Sequence, residues 1–272
     1  MTVRERRCID KEEYKKILVN LMIKIDYLCQ LHGLNYQLAY GTLLGAVRHK
    51  GFIPWDDDVD IFMPREDYKK LQNLINKCDC GMKFISIDNE PNTIYPYGKV
   101  CDTNTVAYEI GFKHVPGYGA FIDVFPLDYV PKSSIKRKFI YYRYNILIKI
   151  IQHTSRTRYS RSKSIPRSII ALFAFLFTRL FDTGSLIRFF DKNIQQLSSG
   201  NSENYYSVPW GSKGKAYTQS EINNVCRMEF ENRLFNVSIE YDKILKTMYG
   251  DYMKLPPIEK RVNPHSIECF YK

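Results

Sequence analysis

No uninterrupted apolar run in this 272-residue sequence exceeds nine residues, Ile169 to Phe177. That is about half of what a helix needs to cross a bilayer, so no membrane span is expected. The seven cysteines (Cys8, Cys29, Cys78, Cys80, Cys101, Cys226 and Cys269) contain no CxxC pair and are odd in number. This argues against a disulfide framework or zinc knuckle and predicts reduced thiols, Cys78 and Cys80 being too close together for a usual zinc pair. The opening residues, MTVRERRCIDKEEYKK, lack the apolar segment of a signal peptide, and a cytoplasmic location is expected. Acidic residues are missing from the window Lys132 to Arg167, which holds eleven basic ones: Lys132, Lys136, Arg137, Lys138, Arg143, Lys149, Arg156, Arg158, Arg161, Lys163 and Arg167. The window therefore carries the whole formal net charge of +11, and the remainder is close to neutral.

What is present is enough apolar material, 44%, for a real core. Asp10 with Glu13 reads as a capping box, and Tyr14, Ile17, Leu18, Leu21, Met22, Ile25 and Leu28 then recur at helical spacing until Gly33. Leu34 to Tyr40 reads as a strand, Gly41 and Thr42 as a turn, and Leu43 to His49 as a short helix. Val59 to Met63 reads as a strand leading through Pro64 into a helix with Tyr68, Leu71, Leu74 and Ile75 on one face. Further strands are expected at Lys83–Ile87, Tyr97–Cys101 and Ala120–Phe125, a strand pair around Arg227–Phe230 and Leu234–Val237, and a helix from about Ile239 to Tyr249 stopped by Gly250. This order predicts an α+β protein. We divide it into a catalytic core (1–131), a basic, partly apolar helical segment (132–200) and a C-terminal segment completing the core (201–272).

The stretch YGTLLGAVRHKGFIPWDDDVDIFMP, Tyr40 to Pro64, crowds Asp56, Asp57, Asp58 and Asp60 between a tryptophan and an apolar strand. Side chains two apart on a strand share a face about 6.6 Å from each other, so Asp58 and Asp60 point one way while Val59 and Ile61 point into the core. At that separation and an effective dielectric near 20, two carboxylates repel by about 2.5 kcal/mol. A hard divalent cation with oxygen ligands would offset that cost. A third carboxylate, Asp123, sits inside the apolar strand GAFIDVFPLD, where a lone charge is expensive unless something binds it. The Gly41-Thr42 turn at a helix start places N–H groups where a phosphate can dock. Together, a Gly-Thr turn, an Asp-hydrophobic-Asp strand 16 residues later and a third strand aspartate resemble the nucleotidyltransferase-fold signature.

The longer stretches GTLLGAVRHKGFIPWDDDVDIFMPREDY, FIDVFPLD and YGDYMKLPP closely resemble the LicD phosphocholine transferases, related to fukutin. The resemblance implies a nucleotidyltransferase-like mixed sheet flanked by helices, with the basic helical segment as an insertion. It also implies metal-dependent transfer of a phospho-alcohol, typically phosphocholine from CDP-choline, to a cell-surface glycan or its lipid-linked precursor, with CMP released and Mg²⁺ or Mn²⁺ as cofactor. Asp58 and Asp60 would be the paired metal ligands and Asp123 the third, with Asp56 assisting and Asp57, of the wrong strand parity, left out. Asp123 is also the candidate to accept the hydroxyl proton. Gly41, Thr42, Arg48, His49 and Lys99 are the candidate phosphate contacts. For a choline substrate, Trp55, Trp210 and several tyrosines are candidates for an aromatic cage, or are core residues. His265 is read as structural.

The basic segment suits helices lying on an anionic membrane surface, peripheral on the inner face; it would equally suit a polyanionic glycan acceptor or a solvated basic face. The alternative function is a nucleotidyltransferase acting on RNA or a small molecule, but the long aliphatic side chains of the basic segment disfavour nucleic acid as its partner. An Asp-x-Asp glycosyltransferase usually needs a longer nucleotide-binding domain before the motif than the 57 residues here, and a non-enzymatic binding module leaves the carboxylate cluster unexplained.

Overall fold

The computed structural model describes residues 6–158, 165–199, 205–208, 215–262 and 267–272. Helix α1 (Lys11–His32) begins at Asp10, whose carboxylate accepts the Glu13 amide at 2.8 Å, and ends at Gly33 in the left-handed conformation (φ 62°). Its buried face is Tyr14, Leu18, Leu21, Met22, Ile25 and Cys29, a 3.6-residue periodicity.

The chain continues through β1 (Gln37–Leu38), α2 (Tyr40–His49), β2 (Asp60–Pro64), α3 (Arg65–Lys77), β3 (Met82–Ile85), β4 (Gly98–Asp102), β5 (Thr105–Glu109) and β6 (Phe121–Tyr129). All of these strands except β5, with two late short ones, form a mixed sheet of order β1-β2-β6-β4-β3. Strands β2 and β6 run parallel at its centre; β1, β4 and β3 are antiparallel to their neighbours. Burial of consecutive residues in β2, Asp60 to Met63, marks it as a strand covered on both faces. Helix α1 packs over β4 and β6, and α3 over β2, β3 and β6.

Next come α4 (Ser134–Ser155), α5 (Ile165–Thr178) and α6 (Thr183–Ser199). Their apolar cluster of Tyr144, Ile151, Ile187, Phe190 and Ile194 is separate from the main core. Arg65 joins the two: its guanidinium donates to both carboxylate oxygens of Asp128 on β6 (2.9 and 2.6 Å) and to Asp191 on α6 (2.9 Å).

The C-terminal part supplies β7 (Tyr205–Ser207), β8 (Tyr217–Thr218), α7 (Gln219–Asn223), β9 (Val225–Phe230), β10 (Arg233–Ser238), α8 (Tyr241–Tyr249) and β11 (Ile267–Tyr271). Strand β7 extends the sheet from the end of β6, β9 and β10 make the expected hairpin, and β11 pairs with the distant β5, Ile267 opposite Glu109 and Tyr271 opposite Thr105. Phe230, Phe235, Val237, Ile244 and Leu245 join the main core.

The α+β class is as expected. Three local expectations change. Leu34–Tyr40 contributes only Gln37–Leu38 to the sheet, because helix α2 already starts at Tyr40 and absorbs the Gly41-Thr42 turn. Strands β5, β7, β8 and β11 are further additions: β5 pairs with distant β11 and β7 with the end of β6, where no local hairpin signal announces them, and β8, only two residues long, pairs with β7. Cys78 and Cys80, expected to be reduced, are joined as a disulfide (S–S 2.37 Å) just after α3. The CxC spacing brings their Cα atoms to 5.4 Å, within the usual disulfide range.

Candidate active site

The parallel pairing of β2 with β6 sets Asp60 directly opposite Asp123, and the antiparallel pairing of β4 with β6 sets Lys99 opposite Asp123 from the other side. Residues opposite one another on neighbouring strands share a face, so Asp60, Asp123 and Lys99 form one row across three strands. Two residues along, Phe62 and Phe125 are the next opposed pair, and Tyr97 stacks on Phe125 (centroids 4.4 Å). A charged row thus lies beside an aromatic row.

Helix α2 closes over this face. Thr42 is buried, and its hydroxyl accepts the Asp60 backbone N–H at 2.8 Å, fastening the first turn of the helix to the head of β2. A Cβ on Gly41 would lie 2.8 Å from Asp56 Oδ2, so only glycine lets that carboxylate come so close to the helix start. Tyr40 adopts φ 42°, a left-handed conformation costly for an aromatic residue. Its ring is held edge-on against Phe62 (4.8 Å) and Phe125 (5.3 Å), which fixes the position of the turn that follows. The first turn of α2 contains no acidic residue and has no side-chain cap, so nothing on the helix itself neutralises its positive end.

The electrostatics of the row follow from burial. The Asp60 carboxyl is pushed well above the ordinary carboxylate range, first by burial, then by Asp58, Asp123 and Asp56. Asp123 is pushed up to about 6 by burial, which outweighs the opposing pull of Lys99. Lys99 Nζ lies 2.7 Å from Asp123 Oδ1 and 3.7 Å from Glu109 Oε1, with only 2% of its side chain exposed. Burial alone would lower its pKa, but the Asp123 and Glu109 carboxylates outweigh burial and raise it. The ammonium is boxed by rings, 3.5 Å from the Phe121 centroid and 4.5 Å from that of Tyr95, and Tyr95 donates its hydroxyl to Glu109. Lys99 is therefore spent beneath the site rather than presented to a ligand's phosphates.

The structure brings Gly41, Thr42, Asp56, Asp58, Asp60, Asp123 and Lys99 together. Asp57 lies 3.9 Å from Lys11 on α1; β2 begins only at Asp60, so strand alternation does not reach Asp57 or Asp58. Arg48 and His49 occupy the last turn of α2, about 10 Å along its axis from Gly41. There Arg48 donates to His49 Nε2 (2.9 Å) and to the Tyr252 carbonyl (2.6 Å), and Trp55 packs near His49 and under the Arg261 guanidinium. Trp210 and His265 lie outside the described residues. As placed, the aspartates share a face without converging on one point: among the described residues, no three His, Cys, Asp or Glu side chains have the spacing of a metal centre.

Sequence reasoning missed the far wall. A cavity of about 530 Å³ is lined by Tyr40, Tyr217, Ile244, Met248 and Tyr249, with Lys215 and Lys243 among its polar residues. Tyr249 stands close enough to the acidic cluster that, after burial, the charge of Asp60 is the next cause raising its pKa. The aromatic content of the late segment was visible, but nothing local says that it folds back over β2.

The model of the family described as LicD/FKTN/FKRP, nucleotidyltransferase domain, matches residues 33–160, from the approach to β1 to just past α4, and so spans the whole carboxylate row. The chain is 30% identical over 275 residues to the lipopolysaccharide cholinephosphotransferase LicD of Haemophilus influenzae, covering 95% of this chain and 97% of that protein. Shorter matches of 58 residues, 45% and 43% identical, link it to uncharacterised proteins of Rickettsia prowazekii and Rickettsia typhi, covering 21% of this chain and 22% and 19% of theirs. With the carboxylate row inside the matched region and the similarity running nearly end to end, this chain belongs to the LicD family.

Proposed function

We propose that the protein transfers phosphocholine from CDP-choline to a hydroxyl of a cell-surface glycan or its lipid-linked precursor, releasing CMP, with a divalent cation as cofactor. The observation that carries this reading is the opposition of Asp60 and Asp123 in parallel register beside the start of α2. The name of the Haemophilus relative supports choline as the alcohol and lipopolysaccharide as the class of acceptor.

Carboxylate oxygens are the donors that Mg²⁺ or Mn²⁺ takes, and burial and mutual repulsion disfavour their charge here; as placed they do not meet at one point, so holding an ion would require the side chains to draw together. Asp58, Asp60 and Asp123 would hold the ion, with Asp56 acting on it or its waters. When bound, such an ion neutralises the diphosphate and stabilises charge on the attacking and leaving oxygens.

The remaining work falls to the chain itself. The amides of the first turn of α2, at Gly41 and Thr42, orient phosphate oxygens. An acceptor hydroxyl attacks the phosphorus bearing choline in line with the departing CMP oxygen, so that one O–P bond forms as the other breaks. Asp123 receives the hydroxyl proton, burial raising its carboxyl above the ordinary carboxylate range in the direction a proton acceptor needs. Tyr40, Tyr217 and Tyr249 in the adjoining cavity supply aromatic walls for a quaternary ammonium.

The test is incubation with Mg²⁺ and, separately, CDP-choline, CDP-ribitol, CDP-glycerol, ATP or a UDP-sugar, followed by nucleotide analysis. CMP from CDP-choline is the expected product. Turnover of ATP or a UDP-sugar with no CMP from any CDP-alcohol would sink the proposal and favour a nucleotidyl- or glycosyltransferase.

A further inference from the structure

Helix α4 carries two apolar stripes. One, through Tyr144, Leu147, Ile148 and Ile151, packs into the cluster shared with α6. The other consists of Ile135, Phe139, Tyr142 and Ile146, which are 79%, 71%, 66% and 63% exposed. At 3.6 residues per turn these four fall within an arc of about 60° on the side opposite the packed stripe. Lys138 and Lys149 border one edge of that arc, Arg143 and Lys136 the other, and all four are exposed. Helix α5, which packs against α4, exposes Ile169, Phe173, Leu176 and Phe177 at the same helical spacing, and Leu180 just beyond it is 78% exposed.

Solvent-facing aromatic and aliphatic side chains in a row are costly to leave in water, and here the row has a cationic margin on both sides. We propose that this face of α4, continued by α5, is a docking surface for an anionic lipid membrane. The apolar side chains would enter the boundary between headgroups and acyl chains while Lys136, Lys138, Arg143 and Lys149 extend to the phosphates. No helix among the described residues is long and apolar enough to cross a membrane, so the contact would be peripheral. Charge complementarity selects this occupant: a second copy of the chain would set the same cationic margin against itself, and a glycan has nothing apolar to cover the stripe. The inference stands on the helices alone and not on the reaction proposed above.

The experiment is co-sedimentation of the full chain with vesicles of phosphatidylcholine, alone or mixed with phosphatidylglycerol. The chain should pellet with the mixed vesicles and far less with phosphatidylcholine alone, and should be released by high salt. Combined Ile135→Ser, Phe139→Ser, Tyr142→Ser and Ile146→Ser, or combined Lys138→Ser, Arg143→Ser and Lys149→Ser, should each weaken binding at least about tenfold with the helical circular dichroism unchanged. As an independent reading should the serine variant fail to fold, Phe139→Trp should gain blue-shifted emission with mixed vesicles and Tyr27→Trp, on exposed α1, should not. Failure of the unsubstituted chain to pellet, binding by both variants as tight as that of the unsubstituted chain, or a dimer that the Ile135, Phe139, Tyr142 and Ile146 variant converts to monomer would each overturn the proposal.

Discussion

Lys99 Nζ lies 2.7 Å from Asp123 Oδ1, across the strand pair that also sets Asp60 opposite Asp123, and is sealed from solvent by Phe121 and Tyr95. The lysine supplies the positive charge that keeps a carboxylate ionised in the middle of a buried sheet. Its removal leaves an uncompensated buried charge, which typically costs about 3–5 kcal/mol. Lys99→Met should lower stability by that order in a denaturant melt and reduce turnover severely. Lys99→Met combined with Asp123→Asn should recover much of the stability and none of the activity. A Lys99→Met protein of full stability would show that the pair contributes little.

Asp60 and Asp123 make stability depend on pH with a definite sign. Both carboxyls are raised in the folded chain, so over the window from the ordinary carboxylate range to about 6 for Asp123, and further for Asp60, the folded state holds more protons than the unfolded one. Their contribution is therefore greatest at low pH and is lost as pH rises through the folded values. Without divalent cation, melting temperature should fall as pH rises through this window by more in the natural chain than in Asp60→Asn, and Mg²⁺ should restore it at the upper end. Identical pH profiles for the two proteins would refute the electrostatic account.

Gly41 tests positioning apart from charge. In Gly41→Ala the new methyl would meet Asp56 Oδ2 at 2.8 Å, and either the carboxylate or the helix start must move. Displacements near 1 Å at a reacting centre cost on the order of 10²-fold in rate, so kcat should fall by about that factor with a stability change under about 1 kcal/mol. Turnover at the natural level in Gly41→Ala would mean that the approach of Asp56 to α2 is incidental.

Arg65 is the tie between sheet and helices. Asp128 is almost wholly buried, and Arg65 serves it with two hydrogen bonds while holding Asp191 with a third. Arg65→Met should destabilise the chain by about 3–5 kcal/mol, because two carboxylates lose their partner. Hydrogen exchange should show α6 losing protection before β2. Equal loss in both would mean that the helices and the sheet unfold together.

Much of this was legible in the sequence. The capping of α1 by Asp10, the amphipathic faces of α1 and α3 and the β9–β10 hairpin are consequences of local capping chemistry and of periods of 3.6 and 2.0, which act over neighbouring residues. The sequence also placed the positive charge in a single window. Tertiary structure decided the rest. The register that puts Asp60 against Asp123, the burial of Lys99 under that pair and the return of Tyr217 and Tyr249 over the site join residues tens to hundreds apart. Strand register is fixed by which faces are buried and which backbone groups find partners across the whole sheet, and no local pattern carries that information.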